Sequence, residues 1–186
     1  GIRVVGRPSK TETYLWMFTI GTDGKLYACT YGNAKLVSYD PKTGAMADLG
    51  RMDDTQKYTR NICTGPDGRI YLGVGYGKAN VVVYDPKTGE HQSILPEAYR
   101  TKPEQTTASV YTGADGNVYV HVIGETEAFV VAGDTLAKAP FPAPPISKTT
   151  FKDGRVVQNA KLDGGYELAY PDGRIEKKTF TYEGAG

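Results

Sequence analysis

The six residues "YDPKTG" occur twice in this chain, at 39–44 and again at 84–89, a step of 45. A second mark recurs beside them. The dipeptide Asp-Gly appears at Asp23-Gly24, Asp67-Gly68 and Asp115-Gly116, in steps of 44 and 48. Each copy is followed by an apolar residue and a tyrosine: Leu26-Tyr27, Ile70-Tyr71 and Val118-Tyr119. A degenerate fourth copy starts at Asp153-Gly154. A period of this length means that one supersecondary unit is stacked on copies of itself, which narrows the fold more than composition does.

The local chemistry of both marks says what the unit is. Asp-Gly between short apolar runs signals a hairpin, because Gly enters positive φ at no steric cost. In "DPKTG", Pro presets φ for a turn and Gly releases the chain into the next strand. The runs between them are rich in Val, Ile, Tyr and Thr, as a pleated surface favours. No window sustains a helical period. Each unit therefore reads as four antiparallel strands. Meanders repeating at this length are expected to be the blades of a β-propeller. The expected fold is all-β: about four four-stranded antiparallel meanders in one propeller region spanning 1–186. The blades are placed near 14–60, 61–106, 107–147 and 148–186. A single blade leaves its faces uncovered, and the fourth unit is degenerate. A partial propeller is expected, completed by remaining blades or by a second copy.

Composition excludes some functions. Lys plus Arg (22) nearly balance Asp plus Glu (21) among the 186 residues, for a net charge of +1. Such a chain carries no global field for nucleic acid. No apolar run reaches the roughly 18 residues of a membrane span. The opening "GIRVVGRPSK" has neither an initiator Met nor a signal-peptide core, so the chain reads as a processed or excised piece. Cys29 and Cys63 fit no metal or redox spacing. They are expected as buried thiols, with a disulfide as the alternative should their strands be neighbours.

The pattern "GxDGKxYxxTY…AKLVSYDPKTG…DLGR", continued by "YTRNICTGPDGRIYLGVG…YDPKTGE…ILPEAYR", resembles bacterial propellers of the broad NHL, YVTN and streptogramin-lyase-like group. It looks closest to repeat proteins found beside carbohydrate-degrading enzymes. The resemblance covers residues 14–136 and fades after "PFPAPP". It implies blade architecture and a periplasmic or extracellular setting. Its motifs are structural turns, so it carries over no catalytic residue.

In such propellers the stereotyped turns share one rim, and the varied loops and connections collect at the other, where function concentrates. The loops "YGNAK" and "YGKAN" align there. They nominate Tyr31, Asn33, Lys35, Tyr76, Lys78 and Asn80 as ligand-binding residues, since a ring face beside amide and amine donors suits a sugar. The bland alternative is that both tyrosines wedge between blades. Trp16, the only tryptophan, aligns with Arg60 near the axis, where Arg could clamp a carboxylate bidentately. An inter-blade ion pair or cation–π contact would explain the same Arg. His121 in "VYVHVIG" is a candidate general base, with a hydrogen-bonded structural histidine as its rival. His91 is expected in solvent on an outer strand.

Asp53, Asp54 and Glu104 could hold Ca²⁺, but "RMDDTQ" lacks the spacing of a calcium loop, and solvated charge is the better reading. No metal site and no cofactor is identified. There is no nucleophile elbow, P-loop or dinucleotide fingerprint. "GVGYG" has no following helix to bind phosphate. The proline-rich segment 137–147 reads as a blade spacer.

Three readings follow. The first is a module binding a carbohydrate or similar small polar ligand at its loop rim, alone or within a larger enzyme. The second is a lyase acting on uronate-containing glycans. It would neutralise the substrate carboxylate, abstract the C5 proton and protonate the leaving oxygen, with His121, Tyr58 and Arg60 as the catalytic candidates. The third is a protein-interaction scaffold.

Overall fold

The turns form as their sequences dictate. In the first "DPKTG", the Asp40 carboxylate accepts from the Lys42 N–H at 2.8 Å and the Asp40 carbonyl accepts from the Gly44 N–H at 2.8 Å. The second copy repeats both bonds from Asp85, to Lys87 and Gly89, at the same distances. Gly44 and Gly89 close the turns at φ 76° and 78°, a region that only Gly enters freely. The first three Asp-Gly turns each add a staple. Tyr27, Tyr71 and Tyr119 each donate the phenol hydroxyl to the turn aspartate four residues earlier, at 2.8 Å in all three. The degenerate copy at Asp153-Gly154 and the later turn at Asp172-Gly173 carry a different contact. There Arg155 lies over Phe151 and Arg174 over Tyr170.

The structure is a computed structural model describing residues 4–102, 107–142, 149–151, 153–159 and 165–179. The first meander is β1 (Tyr14–Ile20), β2 (Leu26–Tyr31), β3 (Lys35–Tyr39) and β4 (Met46–Arg51). The second is β5 (Tyr58–Thr64), β6 (Ile70–Gly75), β7 (Asn80–Tyr84) and β8 (His91–Ser93). A single helical turn, α1 (Glu97–Arg100), lies in the connection that follows. The third meander is β9 (Ala108–Thr112), β10 (Val118–Val122), β11 (Ala128–Ala132) and β12 (Thr135–Ala139). The fourth is β13 (Thr149–Thr150), β14 (Val156–Gln158), β15 (Gly165–Ala169) and β16 (Ile175–Thr179). All pair antiparallel in chain order. The chain divides into two compact units at Pro144/Pro145, so the fourth meander stands by itself.

Within the first unit, strand alternation sends side chains to two apolar seams. Tyr27, Cys29 and Leu36 pack with Ile62, Ile70, Leu72, Val74 and Val82 between the first and second meanders. Tyr71, Val81 and Val83 turn the other way and pack with Val110, Val118, Val120 and Val122 of the third. Every residue of β6 and β7 is buried. Cys29 and Cys63 belong to different seams and are free thiols. Burial pushes each up to about 12. Their strands do pair, through Tyr31 and Tyr58, but the two thiols are buried in different seams, so the disulfide alternative falls.

Among the described residues no helix is long and apolar enough to cross a membrane, and no three His, Cys, Asp or Glu side chains group to hold a metal ion. Glu104 and residues 143–147 of the proline-rich segment lie outside the described residues.

Candidate functional site

Within the first unit, consecutive meanders touch where the second strand of one meets the start of the next. Tyr31, the last residue of β2, pairs with Tyr14 of β1 on one side and with Tyr58 of β5 on the other. Tyr58 in turn faces Gly75 at the end of β6. This register sets four positions in a row across four strands, so side chains on one face become neighbours. The rings follow suit. Centroids lie 6.1 Å apart for Tyr14 and Tyr31, 4.2 Å for Tyr31 and Tyr58, and 5.1 Å for Tyr58 and Tyr76. Trp16 joins from β1, 5.8 Å from Tyr58. Tyr14, Trp16 and Tyr76 remain 62%, 53% and 70% exposed.

The two aligned loops are not equivalent in space. β2 ends at Tyr31 and β3 starts at Lys35, whereas β6 ends at Gly75 and β7 starts at Asn80. The second loop is one residue longer. That residue accounts for the step of 45 between the "YDPKTG" copies against 44 between the Asp-Gly turns. The structural counterpart of Tyr31 is Gly75, which bridges to Thr107 as Tyr31 does to Tyr58. Tyr76 opens the loop at φ 95°, a backbone region that costs a bulky side chain about 1–3 kcal/mol.

Three of the other nominated loop residues have side-chain partners within the fold. Asn33 donates to Glu12 Oε1 at 2.6 Å, and Lys35 Nζ donates to Asp48 at 2.8 Å. Asn80 is buried and donates to Asp53 at 2.7 Å and to Ser93 at 2.8 Å. Lys78 is exposed and uses only its backbone N–H, which donates to Gln56 Oε1 at 3.0 Å.

Sequence reasoning missed Glu12, because no repeat marks it. It is buried and receives Thr30 Oγ1 at 2.7 Å and the Asn33 N–H at 3.2 Å. Burial alone would raise its pKa, but the hydrogen bonds from Asn33, Thr30 and Thr11 outweigh that and lower it. Gln56 has the same role in the next meander, accepting from the Lys78 N–H. Asp53 is likewise spent. Its carboxylate accepts from the Thr55 and Gln56 N–H groups and from Asn80. Asp54 is exposed.

Tyr58 and Arg60 come together, and His121 does not join them. Arg60 is exposed at an irregularity of β5 between Thr59 and Asn61, where an extra residue re-aims a strand. The matching irregularity in β1 falls between Leu15 and Phe18, at Trp16 and Met17. Burial and a side-chain hydrogen bond with Tyr31 raise the Tyr58 pKa, with Arg60 opposing. His121 lies on β10 of the third meander, half-buried and edge-on to Phe141 at 4.9 Å. His91 is exposed on β8. A cleft of about 280 Å³ opens between Tyr31, Tyr58, Tyr76, Lys57 and the Thr55–Gln56 connection.

No protein-family model matches the chain, and no curated protein matches its sequence. Solved structures do. A streptogramin B lyase superposes with a TM-score of 0.57 at 14% identity, over 92% of this chain and 56% of its own. A catalytically inactive virginiamycin B lyase from Staphylococcus aureus, solved with quinupristin, gives 0.57 at 15%, over 95% and 58%. The tricorn protease gives 0.54 at 18%, over 92% and 19%. The chain thus spans a little over half the length of the lyases it matches. These likenesses carry the fold and nothing finer: the meanders of this chain are the blades of a partial β-propeller.

Proposed function

We propose that the loop rim of this propeller module binds a carbohydrate, and that the row Tyr14, Tyr31, Tyr58, Tyr76 with Trp16 is the platform. The row of rings, with Tyr14, Trp16 and Tyr76 exposed and Tyr31 and Tyr58 half-buried, is the observation that carries this reading. Sugar rings have apolar faces edged by hydroxyls, and aromatic rings with wet polar tips complement both. An apolar patch of this kind on a surface needs an occupant. The finer kinship with polysaccharide-associated propellers and an extracytoplasmic location belong to the same reading. So does a further blade, in the same or a second chain, stacked on the outer face of the first meander.

A lyase is the second reading, favoured by the pairing of Tyr58 with Arg60 and by the lyases among the structural neighbours. The Tyr58 phenol is protonated at neutral pH and could donate to a leaving oxygen, but its upward shift makes it a weaker acid, and His121, the candidate base, is in another blade. Binding without turnover is therefore preferred. Glycan arrays and calorimetry decide between them. Trp16→Ala and Tyr76→Ala should each weaken glycan binding about tenfold, with no unsaturated uronate released. Ultraviolet absorbance growing with time would favour the lyase, and absence of any glycan binding would remove both readings.

A further inference from the structure

Five of the seven described arginines have acceptors in the fold. Arg7 donates to the Glu12 carbonyl at 2.9 Å, and Arg51 to the carbonyls of Asp53, Asp54 and Gln56. Arg69 pairs with Asp67 and Asp134, Arg155 with Asp153, and Arg174 with Glu176. The two that have no side-chain partner among the described residues are Arg60 and Arg100. Both lie in the second meander or its outgoing connection.

Arg60 flanks the tyrosine row two residues from Tyr58. Arg100 ends α1 and lines a second cleft, of about 160 Å³, with Lys78 and the Thr55–Gln56 connection. The tyrosine cleft is lined by the same Thr55 and Gln56, so the two clefts adjoin. The Nε of Arg100 is buried without a hydrogen-bond partner. A buried guanidinium N–H left open is costly, and such a group in a native fold calls for an explanation. Of the two acids lining this cleft, Asp53 is saturated by its own loop and by Asn80, and Glu97 is exposed at the lip.

We propose that the rim reads an acidic glycan: Arg60 and Arg100 are the seats for carboxylates of a uronate-bearing chain whose sugar faces lie on the tyrosine row. This deepens the carbohydrate reading and rests on it. Guanidinium presents paired donors that match the two oxygens of a carboxylate. One cation beside an aromatic row and another in the cleft adjoining it suit a polymer that carries its charges at intervals.

The test is calorimetric titration of the chain with oligogalacturonate, its fully methyl-esterified form, a sulfated oligosaccharide and a neutral xylo-oligosaccharide. Oligogalacturonate should bind at least tenfold tighter than its ester, and more weakly as salt rises. Arg60→Ala and Arg100→Met should each remove most of that difference while leaving ester binding in place. Arg100→Met keeps the aliphatic stem and deletes only the partnerless head, so the melting temperature should hold or rise. A fall would mean that Arg100 serves the fold, and would overturn its role here. Equal binding of acid and ester would overturn the acidic ligand while leaving the carbohydrate platform standing. Preference for the sulfated chain would overturn the carboxylate assignment. Binding of no glycan at all would remove the platform itself.

Discussion

At the scale of single residues, Tyr76 stands out as a side chain kept at a cost to stability. Its φ of 95° and its 70% exposure mean that the fold gains little from the side chain. Tyr76→Gly should relieve the backbone and stabilise the chain by about 1 kcal/mol, read as a melting temperature a few degrees higher, while glycan affinity falls. The turn staples have the opposite character. For Asp67, burial raises the pKa, but hydrogen bonds from Arg69 and Tyr71 outweigh it and hold the carboxyl below its usual value. Asp23 is lowered in the same way by Lys25 and Tyr27, and Asp115 chiefly by Tyr119. A carboxyl with a depressed folded pKa stabilises the fold above its unfolded value. That contribution disappears as pH falls through the folded value. Melting temperature should therefore drop as pH is lowered from about 5 toward 2. Tyr71→Phe should cost about 1 kcal/mol at neutral pH and flatten that drop. An unchanged slope in the Phe variant would remove the staple from the acid response.

At the scale of elements, the seams between blades are set by a few close approaches. Asn61 Oδ1 accepts from the Val110 N–H at 2.8 Å, joining β5 to β9. Thr59 Oγ1 accepts from the Thr30 N–H at 2.8 Å, joining β5 to β2. At Gly73 a Cβ would overlap both Asn61 Oδ1 and the Ala108 carbonyl. Gly73→Ala should therefore part the second and third blades, at a cost of about 1–3 kcal/mol or more, seen as a lower denaturant midpoint. Gly89→Ala, open to solvent in the outer turn, should cost only about 1 kcal/mol for its positive φ. Similar losses at the two sites would refute the tight seam. The strands themselves were legible in advance: the Asp-Gly turns, the "DPKTG" turns and the alternation of Val, Ile and Tyr place them. The extra residue in the second rim loop was visible only as a discrepancy between steps of 44 and 45. Its consequence, Tyr76 displaced from the register of Tyr31, needed the strand ends.

At the scale of the molecule, burial is uneven in a way that can be measured. The second blade is covered on both faces, so the amides of β6 and β7 should exchange most slowly with solvent. The first strand is the reverse. Leu15, Trp16, Phe18 and Ile20 are all half or more exposed, beside an apolar cleft of about 260 Å³ that also includes Val37 and Met46. The isolated chain should bind a hydrophobic dye, and Leu15→Ser with Phe18→Ser should reduce that fluorescence several-fold at little cost in melting temperature. What the sequence determined by itself is everything that acts within a few residues: a carboxylate capping its own turn, a Gly at positive φ, a side chain alternating from face to face. What only the tertiary structure decided is which loop residues stand open at the rim and which are tied into the fold. Tyr14, Tyr31 and Tyr58 are neighbours because two strand pairings bring them into one row, and Tyr76 joins them from the loop after Gly75, which a third pairing sets opposite Tyr58. Asn33, Lys35 and Asn80, equally plausible as letters, are drawn inward because Glu12, Asp48 and Asp53 stand there to receive them. Such partners are distant in the chain, and only packing brings them within a hydrogen bond's reach.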